Sequence, residues 1–77
     1  MSKYKEIAKS EARERYDNGK IIRLLPSNLN PNGYWGEPLP INNEQGKQFE
    51  KMCNEFRYYN CSKETGLKIK FYITKGE

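Results

Sequence analysis

Seventy-seven residues with fourteen Lys and Arg against ten Asp and Glu carry a net charge of +4, a mild tilt towards an anionic partner. A chain this short buries only about 60–65% of its unfolded surface, so it makes one domain, residues 1–77, with a thin stability margin. It has no histidine, which removes the commonest general base and the commonest metal ligand, while an aromatic share of 13% argues against disorder.

In chain order, Ser2–Asn18 reads as one helix, or as a short lead-in followed by a helix capped at Ser10. Glu11 and Glu14 then stand in the first turns, where the helix dipole favours anions. Ile7, Ala8, Ala12 and Tyr16 mark a narrow apolar stripe, and Asp17-Asn18-Gly19 ends the element because Asn and Gly tolerate the left-handed conformation. Lys20–Leu25 reads as a strand that Pro26 stops. Ile21, Ile22, Leu24 and Leu25 suggest burial on both faces and a central place in the sheet. Arg23 among them is either snorkelling to an edge or held for a ligand.

The stretch Pro26–Pro40 holds all four prolines and the only tryptophan. Proline fixes φ and removes a donor, so Ser27–Ile41 reads as an irregular, Pro/Asn-rich loop rather than a helix or a central strand. Long loops in small domains are usually functional or disordered, and the rings of Tyr34 and Trp35 favour function. Trp35 either plugs one end of the core or anchors a partner.

Asn42 or Asn43 is expected to cap the second helix. Phe49, Met52, Cys53, Phe56 and Tyr59 or Asn60 follow its i, i+3, i+4, i+7 spacing, and Ser62–Gly66 makes the next turn. Leu67–Thr74 alternates as a strand, with Leu67, Ile69, Phe71 and Ile73 on one face and Lys68, Lys70, Tyr72 and Thr74 on the other. The fold class is therefore α+β, two helices packed on a small antiparallel sheet with a long Pro/Asn-rich loop. Two strands make a marginal sheet, so either the loop supplies a third or two chains join edges as a homo-oligomer.

Catalysis fits the composition badly. Without histidine, Cys53 and Cys61 have no partner to activate them and cannot complete a four-ligand zinc site in one chain, so they read as reduced thiols. Asn32-Gly33-Tyr34-Trp35-Gly36 lacks the spacing of a phosphate loop. The expectation is a protein that is not an enzyme and needs no metal or cofactor. No apolar run reaches the ~20 residues of a membrane span and Met1–Glu6 has no signal-peptide pattern, so the expected place is the cytoplasm, with no membrane partner.

Binding fits better, because cations beside rings suit a nucleobase-containing anion: the cation neutralises phosphate and the ring stacks on the base. Candidate cations are Arg23, Arg57, Lys68 and Lys70, and candidate rings are Tyr34, Trp35, Tyr58 and Tyr72. The plainer alternatives are that Tyr59 is core, Tyr58 a half-exposed cover, Arg57 a solvated cation, and Lys68 and Lys70 guards of an edge strand.

Lys9-Ser10-Glu11-Ala12-Arg13, Asn18-Gly19-Lys20, Leu24-Leu25-Pro26, Trp35, Arg57-Tyr58-Tyr59-Asn60-Cys61 and Glu64-Thr65-Gly66 give a layout that resembles short accessory proteins encoded by bacteriophages and integrated mobile elements. The resemblance implies a counter-defence role without catalysis in a bacterial host. The first form is capture of an anionic nucleotide or nucleic acid, such as a cyclic nucleotide signal. The alternative is a protein-surface inhibitor of a host nuclease or CRISPR effector, with Tyr34 and Trp35 as anchors.

Overall fold

The computed structural model describes residues 3–31 and 37–75. Its elements run β1 (Tyr4–Ile7), α1 (Lys9–Asp17), β2 (Ile22–Pro26), β3 (Leu39–Ile41), α2 (Phe49–Asn60) and β4 (Ile69–Thr74). The strands form one antiparallel sheet in the order β1-β4-β2-β3, with both helices on one face. The fold is α+β. Because β1 and β2 both run against β4, they are parallel to each other and α1 crosses from one to the other. By the same reasoning β3 and β4 are parallel, with β2 between them and α2 as the crossover.

The chain start departs from expectation. Tyr4–Ile7 is a strand on the β4 edge, in the register Tyr4 with Thr74 and Ile7 with Phe71. A helix would bring Tyr4 and Ile7 onto one face, whereas a strand sends them to opposite faces. Ile7 thereby enters the main core, and Tyr4 joins a smaller cluster beneath the sheet. The helix follows at Lys9, its N-cap is Ala8 without a side-chain cap, and Ser10 lies inside it. Its end is as expected: Gly19 has φ +81°, its N–H donates to Tyr16 O at 3.0 Å, and Lys20 N–H donates to Arg15 O at 2.9 Å, a Schellman closure.

β2 is central and buried on both faces, Leu24 in the main core and Leu25 in the smaller cluster. It begins later than expected, and Pro26 is its last residue, paired with Ile69, rather than the stop beyond it. The segment Ser27–Ile41 is not irregular throughout, because Leu39–Ile41 forms β3. Pro40 is tolerated because β3 is the edge strand of the sheet, where one side of the backbone has no neighbour to pair with. With β1 and β3 in place the sheet is complete within one chain, and the strand count no longer calls for a second copy.

The second helix starts at Phe49 with Gln48 as N-cap, not at Asn42 or Asn43. Asn42 Oδ1 instead accepts the Glu44 N–H at 3.2 Å, and Gly46, at φ +72°, turns the chain before the helix. Phe49 packs against Tyr16 and Phe71 with ring centroids 5.7 Å away in each case, so Phe49→Ala removes the centre of the core, a loss of about 3–5 kcal/mol. The Tyr16 hydroxyl donates to Lys47 O at 2.8 Å, which satisfies the buried phenol. β4 is shorter than expected and leaves Leu67 exposed outside it. No helix among the described residues is long and apolar enough to cross a membrane.

Candidate anion-binding groove

At one end of the sheet, β1 runs out into α1, α2 ends, and the chain returns into β4. Between them lies a cavity of about 420 Å³ whose lining includes Ala8, Lys9, Arg57, Lys68 and Lys70. Glu6 is the one carboxylate among its described lining residues. Arg57 is brought there by the last turn of α2, Lys68 by the approach to β4, and Lys70 by β4 itself, opposite Leu25 of β2. Lys9 stands at the start of α1, whose cap Ala8 offers the first-turn N–H groups no side-chain acceptor, so the positive end of the helix dipole faces the same corner.

The cations differ in their commitments. Lys9 Nζ lies 3.2 Å from Glu50 Oε1, and Arg57 Nη1 donates to Asn54 Oδ1 at 2.9 Å. Neither Lys68 nor Lys70 pairs with a carboxylate among the described residues. Lys68 is exposed and Lys70 half-buried. Ammonium and guanidinium groups gathered in this way are the groups that hold phosphate in proteins, by charge-assisted hydrogen bonds.

Three of the candidate residues, Arg57, Lys68 and Lys70, thus share one cavity. Arg23 is not with them. It lies on the sheet face away from the helices, where Nε donates to Thr74 Oγ1 at 3.3 Å, Nη1 donates to Pro38 O at 3.4 Å, and the guanidinium covers the Tyr4 ring. Tyr72 does not stand exposed between two lysines: it is buried in the smaller cluster, because Tyr4 and Leu25 of the neighbouring strands pack beside its ring and Leu29 packs against the three. Tyr58 and Tyr59 are 81% and 77% exposed and meet edge to face at 5.0 Å. Tyr59 is therefore not core. At 3.6 residues per turn it falls past the stripe set by Phe49, Cys53 and Phe56, and Asn60 is exposed as well. Tyr34 and Trp35 lie outside the described residues.

Lys9 and Glu6 escaped the sequence reading. Both look like solvated positions of a helix, and nothing local signals that α1 begins beside the entry to β4. Cys53 is buried and Cys61 half-buried, and neither is in a disulfide. Burial pushes Cys53 from its ordinary 9.0 up to about 11 and also raises Cys61. Among the described residues no group of three His, Cys, Asp or Glu could hold a metal ion. Comparison with protein-family models, with curated proteins and with solved structures found no match.

Proposed function

We propose that this chain is a non-catalytic binding protein that captures a nucleotide or a nucleic-acid-like anion by its phosphates, acting against host defence in the bacterial cytoplasm as the resemblance to phage accessory proteins implies. The supporting observation is the convergence of Lys9 from α1, Arg57 from the end of α2, and Lys68 and Lys70 from the β4 segment on one cavity. A ligand that binds only the folded chain stabilises it by mass action, by about 2.7 kcal/mol at a hundred times Kd. For a domain of this size that is a rise in melting temperature on the order of 10 °C. The test is a melting series with mononucleotides, cyclic di- and trinucleotides and short oligonucleotides, run on the native chain and on Arg57→Glu/Lys68→Glu. A rise abolished by the double charge reversal supports the reading; no rise with any of these ligands overturns it.

A second reading rests on the Tyr58–Tyr59 pair, two exposed rings of a type enriched in protein interfaces. Here the chain occupies the surface of a host nuclease or CRISPR effector. Inhibition of such an enzyme, lost in Tyr58→Ala/Tyr59→Ala and kept in Arg57→Glu/Lys68→Glu, would favour this reading over the first.

A further inference from the structure

The basic groove does not end at the sheet. A second cavity, of about 600 Å³, lies over the face opposite the helices, and Glu6 and Lys70 line both. They adjoin at Glu6 and Lys70, beside the point where the β1–β4 pairing ends at Ile7 and Phe71, so a strand leaving one cavity reaches the other by rounding that end of the sheet. Resting on the phosphate-capture reading above, we infer that the ligand is a single-stranded oligonucleotide whose phosphates occupy the basic groove and one of whose bases enters the cavity on the open face.

The two halves divide the chemistry of a nucleotide between them. The groove carries Lys9, Arg57, Lys68 and Lys70. In the second cavity, Lys70 is the one cation among the described lining residues, and the walls are Ser27, Asn28 and Asn30 with the apolar Leu29 and Pro31 beside Tyr72. Side-chain amides match the donor and acceptor edges of bases, and apolar or ring surfaces match their faces. A phosphate finds one cation there, Lys70, against four in the groove, so charge favours the groove for phosphate and leaves the amide wall for the base.

The base-side wall is held in place before any ligand arrives. Asn28 N–H donates to Thr65 O at 2.9 Å, Leu29 N–H donates to Pro26 O at 3.0 Å, and Ser27 N–H donates to Lys68 O at 2.9 Å. The last bond ties the loop of one cavity to a lysine of the other through the main chain, so the two half-sites keep a set spacing. A paired base within a duplex has its Watson–Crick edge occupied and its faces stacked, and its helix is too wide to follow the bend, so the geometry selects single strands.

The experiment uses the full chain and fluorescein-labelled homo-oligonucleotides of twenty residues, each free or annealed to its complement and checked for duplex by native gel, titrated at several salt concentrations. Expected are tighter binding of the single strands by tenfold or more and a preference among the four homopolymers. Asn28→Ala should change that preference by three-fold or more while leaving the salt slope unchanged, and Lys68→Ala should lower the slope while leaving the preference unchanged. Equal binding of single strand and duplex, or an Asn28→Ala protein with the native preference and affinity, overturns the inference while the phosphate-capture reading stands. Absence of binding by every oligonucleotide and mononucleotide overturns both.

Discussion

The guanidinium carbon of Arg23 lies 5.4 Å from the centroid of the Tyr4 ring, across the width of β4. The ring is buried, and the side chain above it is held by Thr74 Oγ1 and Pro38 O. A cation over a desolvated ring contributes about 1–2 kcal/mol, and each hydrogen bond about 1 kcal/mol net. Arg23 therefore covers the smaller core rather than waiting for a ligand. Arg23→Ala is expected to lower stability by about 1–3 kcal/mol in chemical denaturation and to leave nucleotide affinity within two-fold of native. A Tyr4→Ala/Arg23→Ala cycle should show coupling of at least 0.5 kcal/mol. A ten-fold loss of affinity in Arg23→Ala at unchanged stability would return this residue to the binding site.

The groove cations should not contribute equally. Lys9 and Arg57 already have Glu50 and Asn54 as partners, whereas Lys68 has no carboxylate among the described residues. Lys68→Ala should reduce the slope of log affinity against log salt by about 0.7–0.9, the value for one phosphate contact. Lys9→Ala should change it by less, because its ammonium is shared. Isothermal titration at four salt concentrations measures both, and the reverse ranking would contradict the assigned geometry.

Alkaline pH should loosen the fold. Burial pushes the Cys53 thiol from 9.0 to about 11, and burial also raises the phenols of Tyr16 and Tyr72. A group whose folded value is raised leaves stability intact below its unfolded value, and stability then falls as pH climbs towards the folded value. Denaturation midpoints should be flat from pH 7 to 9 and fall between pH 9 and 11, with Cys53 alone accounting for on the order of 2 kcal/mol. Cys53→Ser should reduce that fall relative to its own value at pH 7. A midpoint independent of pH up to 11 would mean that the thiol and phenols are not desolvated as described.

Gly66 is a point of close approach. It sits at φ +103°, and a Cβ there would overlap Ser27 Oγ and come within 3.0 Å of the Asn28 nitrogen. Its own N–H donates to Ser62 O at 2.8 Å, closing the turn on which the Ser27–Asn28 backbone rests. Gly66→Ala should destabilise the chain by at least ~1 kcal/mol and weaken base preference by moving Asn28. Unchanged melting of Gly66→Ala would show that the turn relaxes freely.

The candidate site was legible only in parts. Arg57, Lys68 and Lys70 could be singled out because they are basic residues near rings or on an alternating strand. Lys9 could not, because Lys68, which lines the same cavity, is fifty-nine positions away and no local pattern encodes that juxtaposition. Arg23 was ambiguous for the same reason: whether a guanidinium among aliphatics reaches solvent or a ring depends on what the next strands carry, and here Tyr4 arrives from the far side of β4.

By itself the sequence determined the α+β class, the central β2, the α2 stripe of Phe49, Cys53 and Phe56, the alternation of β4 and the closure of α1 at Gly19. Each of these rests on a period of 2 or 3.6 or on the backbone freedom of one residue, which are local properties. Tertiary structure alone decided that Tyr4–Ile7 and Leu39–Ile41 are strands, that Tyr72 is buried, and that the cations line one cavity. Short segments with little periodicity take their conformation from the edge that offers unpaired N–H and C=O groups, and that edge exists only once distant parts of the chain have come together.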